Sequence, residues 1–181
     1  MLPLVITLVP EQFDEGKGEF IPPVTVTLQM EHSLVSISEW ESKWNKPFLA
    51  NKGMTDEETF DYIRCMTVTQ NVDPEIYSYL SQENIKQIQQ YIEAPMTATT
   101  FSKERGGKNN KEIITSELIY YWMISLQIPV EFQNWHINRL LTLIRVCNIK
   151  NQPPKKMSKR DIMSRNAALN AQRRAQLNTK G

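Results

Sequence analysis

The sequence predicts a mainly α-helical domain with an N-terminal β-hairpin and a basic C-terminal helical extension. Three observations support this fold class: alternating apolar and polar residues near the N-terminus, repeated helix-capping signatures further on, and a reversal of charge after residue 150. Residues 1–150 contain 13 basic and 19 acidic residues, whereas residues 151–181 contain eight basic residues and one acidic residue. These counts give net charges of −6 and +7. We therefore expect a folded domain over 1–150 and a distinct extension over 151–181.

Two segments near the N-terminus have the pattern of β-strands. Leu4–Val9 is rich in β-branched residues, and Val24–Met30 alternates apolar and polar side chains. The segment between them, 14–19, is rich in turn-forming residues, so the two strands are predicted to form a hairpin. Because two strands alone are marginally stable in water, the hairpin must pack against helices or pair with another chain. The predicted buried face consists of Val24, Val26, Leu28 and Met30.

Capping signatures mark the starts of several helices. The residues at 38–41 and at 55–58 both fit a capping box. Asp73-Pro74 fits an N-cap followed by proline at the first helical position. Ser81 is expected to open a further helix. The apolar face of that helix consists of Ile85, Ile88 and Ile92.

The second half of the domain is predicted to contain its most apolar helices. Pro95–Asn110 is rich in breakers and polar residues and is expected to be a break. Helices are predicted at about Glu112–Leu126 and about Glu131–Cys147. The short connection between them indicates an antiparallel helical hairpin, which we expect to be the centre of the core.

Four tryptophans supply large apolar side chains. Trp122 and Trp135 belong to the two apolar helices and are expected to be core residues. Core packing is the first interpretation for all four, and contact with a partner is the alternative, because tryptophan is enriched at binding hot spots. Trp40 and Trp44 are the residues predicted to contact a partner, because they lie one helical turn apart on a short helix beside the hairpin.

The chain lacks the residue patterns that are typical of catalysis. Two histidines, His32 and His136, are too few for the usual acid–base arrangements, and His136 is expected to be a hydrogen-bonded structural residue. Cys65 and Cys147 do not occur in the local pairs that zinc sites use. Gly-Gly-Lys at 106–108 lacks the rest of a phosphate-binding loop. We therefore expect a non-enzymatic protein without catalytic residues, metal or cofactor.

Three interpretations of the basic extension are open. It could be an arm for nucleic-acid phosphates, an arm for a protein partner, or a solvated tail with no specific partner. Pro153-Pro154 predicts a stiff spacer, and the residues at 158–161 fit a capping box that would start a helix. The extension has no aromatic residue for base stacking, whereas Ile162, Met163, Leu169 and Leu177 fall at roughly helical spacing, which favours a protein partner. The basic residues predicted to contact the partner of the extension are Lys155, Lys156, Lys159, Arg160, Arg165, Arg173 and Arg174.

Four stretches and the Pro-Pro-Lys-Lys segment resemble a known family. The stretches are 31–44 (EHSLVSISEWESKW), 95–101 (PMTATTF), 117–123 (ELIYYWM) and 135–145 (WHINRLLTLIR). Together they resemble the tail assembly chaperones of tailed bacteriophages. The resemblance implies a protein of the host cytoplasm that coats the tape-measure protein before tail-tube protein polymerises around it. It also implies that a charged tail adds affinity or recruits tube subunits, and that ribosomal frameshifting often yields a longer form.

The expected function is thus a non-enzymatic chaperone that binds the tape-measure protein. The alternative is a virion structural or connector component, or a nucleic-acid-binding accessory protein that uses the basic tail. Membrane insertion is not expected, because the longest apolar candidate, Ile113–Val130, is interrupted by polar residues and proline. Homo-oligomerisation is left open.

Overall fold

The computed structural model describes residues 1–51, 53–101, 112–152 and 159–178. The chain divides into two compact units, Met1–Asn148 and Ile149–Gly181. The first unit is mainly helical and contains a two-stranded antiparallel sheet whose tip is a second, smaller two-stranded ribbon.

The predicted N-terminal hairpin is confirmed. Strand β1 (Leu2–Val9) pairs antiparallel with β4 (Val24–Met30), and the register runs from Leu2 opposite Met30 to Val9 opposite Val24. The connection between them forms its own ribbon of β2 (Gln12–Asp14) and β3 (Glu19–Ile21). Only the base of the hairpin is buried, through Leu4, Ile6, Leu28 and Met30.

Helix α1 (Leu34–Trp44) begins earlier than the sequence pattern predicts. Its N-cap is Ser33, whose hydroxyl accepts a hydrogen bond from the Ser36 amide, while the Ser36 hydroxyl accepts one from the Ser33 amide. The predicted capping box at 38–41 is therefore wrong, because Ser38 lies within the helix. A serine takes the place of the usual Glu or Gln in this capping box, so the usual sequence pattern does not mark the true start. The helix ends at Asn45, whose φ of 52° is left-handed.

The next helices begin where their capping residues predict. Thr55 caps α2 (Asp56–Cys65) in a capping box with Glu58, and Ser81 caps α3 (Gln82–Glu93). Asp73 caps a segment that starts with proline, but that segment is a short 3₁₀ helix, Pro74–Tyr79. Helix α3 packs on β1, where the Asn84 side-chain amide donates to the carbonyl of Val5 at 2.9 Å. The base of the hairpin is thus covered within its own chain.

The predicted pair of long apolar helices is broken into three elements. Helix α4 spans Ser116–Ser125, a 3₁₀ helix spans Val130–Asn134, and α5 spans Ile137–Asn151. The predicted continuous helix at 131–147 is wrong, because the backbone is extended at Trp135.

The centre of the body is α1 rather than the predicted pairing of the two apolar helices. Helix α1 packs against α2, α4 and the 3₁₀ helix Val130–Asn134. The core also takes in the base of the hairpin and the start of α5. Its most deeply enclosed side chains are Leu4, Ile6, Leu28, Met30, Leu34, Ile37, Trp40, Met66, Ile119, Ile137 and Leu140.

Helix α6 (Lys159–Leu177) belongs to the second unit, and each of its side chains is exposed. The predicted Pro153-Pro154 spacer, the Ser158 cap and the 106–108 segment lie outside the described residues. None of the helices described here combines the length and apolarity that crossing a bilayer requires.

Candidate partner-binding surface

Trp40 is enclosed in the core and exposes none of its surface. Its indole nitrogen donates to the Glu58 carbonyl at 2.9 Å, and its ring meets that of Phe48 edge-on at a centroid distance of 5.3 Å. With its one polar group satisfied and its faces covered, Trp40 has no surface left for a partner. Its predicted role in binding is therefore replaced by core packing.

Trp44 is half-buried and borders an open cleft. Its indole nitrogen donates to the Asp61 carboxylate at 2.8 Å, and the ammonium groups of Lys43 and Lys46 each lie 5.9 Å from its ring centroid. Trp122 and Trp135 are half-buried as well, so the predicted division between core and surface tryptophans does not hold. The cleft has a volume of about 420 Å³. It is lined by Lys43, Trp44, Glu57, Phe60, Asp61 and Arg64.

The cleft next to Trp44 is polar and contains an ion pair. Asp61 forms an ion pair with Lys43 in addition to its bond from Trp44. Although burial opposes ionisation, these hydrogen bonds hold the pKa of Asp61 below its usual range. Phe60 is 46% exposed at the edge. This surface offers the aromatic side chains of Trp44 and Phe60 beside the ion pair of Asp61 and Lys43.

An apolar groove lies along the other side of α2, between α2 and α3. Its volume is about 280 Å³, and no charged side chain lines it. It is lined by Phe48, Met54, Thr59, Tyr62, Ile63, Ile85, Ile88, Gln89 and Ile92. Seven of these nine residues are apolar or aromatic, so the groove can take apolar side chains from another helix.

A buried carboxylate holds one wall of the groove in place. One oxygen of Glu41 accepts the Phe48 amide at 2.7 Å, and the other accepts the Ser116 amide at 2.7 Å. Ser116 is the first residue of α4, so the carboxylate also satisfies an amide that α4 cannot bond internally. The Phe48 ring then lies 4.1 Å from that of Tyr62, centroid to centroid. Glu41 thereby fixes the loop from α1 to α2 that carries Phe48.

A second buried carboxylate anchors the start of α2. Glu58 accepts the Thr55 amide at 2.9 Å and forms an ion pair with Lys46. The hydrogen bonds from Lys46 and from the Thr55 amide lower the pKa of Glu58, and the bond from Lys46 has the larger effect. Because the Glu58 carbonyl also accepts from Trp40, the end of the loop and the first turn of α2 are joined to the core.

The two histidines lie in a buried hydrogen-bonded cluster below this surface. His32 bonds the Tyr62 hydroxyl through Nδ1, and His136 bonds the Tyr91 carbonyl through Nε2 at 3.0 Å. Tyr91 in turn donates to Glu31 at 2.7 Å. Burial, with a smaller contribution from His136, lowers the pKa of His32 to about 3, and burial lowers that of His136 as well. Both histidines are therefore neutral and structural near neutral pH.

Burial also raises the pKa of both tyrosines, Tyr62 and Tyr91, so neither hydroxyl is poised to ionise. Within the residues that the structure describes, no group of three His, Cys, Asp or Glu side chains is arranged to hold a metal ion. The cluster ties β4, α2, α3 and the start of α5 together.

The predicted basic contacts divide between described and undescribed residues. Lys159, Arg160, Arg165, Arg173 and Arg174 lie on α6 and are exposed. Lys155 and Lys156 lie outside the described residues. The sequence did not predict the groove itself, although it predicted the apolar face of α3 that forms one wall. Phe48 and Met54 carried no periodic signal, because they belong to a loop.

No family model matches the chain, and neither a curated protein nor a solved structure shows significant similarity to it.

Proposed function

We propose that this protein is a non-enzymatic tail assembly chaperone of a tailed bacteriophage. It binds the tape-measure protein in the host cytoplasm before tail-tube protein polymerises. The observation that carries the proposal is the apolar groove between α2 and α3. The family resemblance of the four sequence stretches points to the same function.

The groove suits recognition of an amphipathic helix. Ile85, Ile88 and Ile92 follow the i, i+3, i+7 spacing along α3, and Tyr62 and Ile63 face them from α2. A long helical tape measure exposes apolar stripes before the tube surrounds it, and a groove of this kind covers one stretch of such a stripe. Many copies along one ligand then give tight coverage from individually weak contacts.

Trp44 and the basic extension are proposed as secondary contacts. Trp44 and Phe60 present aromatic surface on the opposite side of α2 from the groove. The exposed basic residues of α6 can add affinity or recruit tail-tube subunits.

Co-expression with fragments of the tape-measure protein from the same phage, followed by pull-down, tests the proposal. The wild-type chain is expected to retain a helical fragment, and Ile85→Glu is expected to lose it. Ile124→Glu is the matched control, because Ile124 is 77% exposed on α4. Gln89→Lys places a charge in the groove at an exposed position. This variant tests the groove even if Ile85→Glu fails to fold. Retention of no fragment by the wild-type chain, or equal retention by all variants, would contradict the proposal.

The alternative function, a nucleic-acid-binding accessory protein or virion component, is favoured by one observation. Helix α6 carries five basic residues and one acidic residue on a fully exposed surface. A salt titration of DNA binding distinguishes the two functions. A steep fall of affinity with salt that disappears when residues 155–181 are deleted would support nucleic-acid binding.

A further inference from the structure

The tip of the hairpin is an amphipathic ribbon. Strands β2 and β3 each have three residues, and Phe13 pairs with Phe20 at their centre. Because side chains alternate between the two sides of a ribbon, the neighbouring pairs lie on the other side. Those pairs are Gln12 with Ile21 and Asp14 with Glu19. One side of the ribbon is therefore aromatic and uncharged, and the acidic residues of its strands lie on the other side.

The body leaves the aromatic side of the ribbon open. Phe13 is 52% exposed and Phe20 is 69% exposed. Their ring centroids are 5.0 Å apart, so each ring covers part of the other. A two-stranded ribbon is marginal in water when it packs on nothing else. The tip therefore lacks the packing that the core gives to the base of the hairpin.

The main sheet adds a second open apolar pair next to the ribbon. Val9 and Val24 are the last pair of β1 and β4, and Val24 lies on the same side of its strand as the buried Leu28. Both valines are nevertheless exposed, so the apolar side of the sheet continues beyond the part that the body covers. Phe13 follows Val9 by four residues, and Phe20 precedes Val24 by four. In an extended chain an even separation keeps residues on one side.

We propose that this chain forms a dimer in which the arms of two copies, residues 9–24, pack together through their apolar sides. The arms are antiparallel about a two-fold axis, so the phenylalanine pair of one copy lies against the valine pair of the other. This arrangement keeps the acidic tips apart, since residues 11–19 contain four acidic residues and one basic residue. Because the contact joins the same surface of both copies, it closes on itself and builds no larger assembly.

The apolar side of the arm suits a second copy better than it suits helix α6. Its two phenylalanines and two valines carry no charge, so two such sides meet without placing like charges in contact. An apolar contact of this kind is typical of homodimers. Helix α6 presents no matching surface, because the side that holds its apolar residues also holds Lys159, Asn166 and Arg173.

The open apolar area is close to what a specific dimer needs. A phenylalanine side chain presents about 200 Å² when fully exposed, so the two pairs leave roughly 400 Å² open per copy. Mutual burial removes roughly 800 Å² in total, and the flanking backbone brings the contact near the roughly 1,000 Å² at which specific interfaces begin. The dimer is therefore expected to be weak, with a Kd of roughly micromolar or above.

Sedimentation velocity of the full-length chain, from about 1 μM to about 500 μM, measures the association. The first arm variant is Phe13→Thr with Phe20→Thr, which keeps β-branched residues in the strands. The second, Phe20→Lys, changes only the more exposed ring. The matched control is Tyr121→Thr with Ile124→Thr, because these two side chains of α4 are 63% and 77% exposed.

The contact does not use the groove between α2 and α3, so it is independent of the proposed function. Gln89→Lys, which places a charge in the groove, should dimerise like the wild type. Salt separates the arm from the basic extension. An apolar contact should persist at about 1 M salt, whereas an association through the basic residues of α6 would be screened.

The wild-type chain and the α4 control are expected to show a reversible equilibrium between monomer and dimer, with nothing larger. Both arm variants should dimerise at least about tenfold more weakly, while their urea midpoints stay at the wild-type value because the two rings lie outside the core. The proposal is overturned by a wild-type chain that stays monomeric, by species larger than dimers, by dimers that dissociate at high salt, or by arm variants that dimerise like the wild type.

Discussion

Glu41 shows how one side chain can hold the wall of a surface groove in place from within the core. Its carboxylate accepts the backbone amides of Phe48 and Ser116, each at 2.7 Å, and only 7% of the residue is exposed. Nothing in the local sequence distinguishes Glu41 from the exposed Glu39 two residues earlier, because the partners are brought to it by the fold. Residue-level roles of this kind cannot be predicted from a periodic pattern.

Replacing Glu41 by Gln is expected to lower the free energy of unfolding by about 1.5–3 kcal/mol. The reason is that an amide NH₂ would then face a backbone N–H, which leaves one buried donor without an acceptor. Urea denaturation monitored by circular dichroism measures the change. Glu39→Gln, on the exposed side of the same helix, is the control and should change stability by less than about 0.5 kcal/mol. Equal effects of the two substitutions would contradict this role for Glu41.

The buried histidines predict a loss of stability in acid. The pKa of His32 is about 3 in the folded chain against an ordinary value of 6.5. Between these values the unfolded chain binds the extra proton, so stability falls as pH falls below about 6.5. For His32 alone, the loss between about pH 7.5 and about pH 5 is about 2 kcal/mol. The lowered pKa of His136 adds to it with the same sign.

Urea denaturation across this pH range measures the slope, and His32→Gln removes the largest contribution. The variant should be less stable at pH 7.5 because the bond to Tyr62 changes, yet its stability should depend less on pH. A variant with the wild-type slope would show that other groups control the acid response.

Among the secondary-structure elements, capping residues predicted the starts of α2 and α3 correctly. Thr55 and Ser81 each cap a helix with a reciprocal partner three residues later, which is Glu58 for Thr55 and Asn84 for Ser81. The start of α1 was predicted too late, since Ser36 serves as the reciprocal partner in place of Glu or Gln. The sequence did not predict the break before α5, because no proline or glycine accompanies the extended backbone at Trp135.

The two candidate starts of α1 make opposite predictions for serine substitutions. Ser33→Ala removes the N-cap and should lower the free energy of unfolding by about 1 kcal/mol, whereas Ser38→Ala within the helix should be nearly neutral. Thermal or urea unfolding of the two variants gives the comparison. A larger loss for Ser38→Ala than for Ser33→Ala would place the helix start where the sequence pattern first suggested.

At the scale of the whole molecule, the sequence predicted a mainly helical body, the hairpin and the change of charge after residue 150. Those features depend on local periodicity and on composition. The groove was not predictable, because it is formed by α2, α3 and the loop that carries Phe48 only after they pack. The burial of Trp40 was not predictable for the same reason. Its spacing with Trp44 suits both a core and an interface, and only the packing of α2 decides between them.

We propose that the groove between α2 and α3 binds an amphipathic segment of the tape-measure protein. Hydrogen–deuterium exchange of the full-length chain, with and without a bound tape-measure fragment, tests it most directly. We expect slower exchange on binding in Asp56–Cys65 and Gln82–Glu93, with little change in Ser116–Ser125. A complex that forms while exchange in α2 and α3 stays unchanged would contradict it.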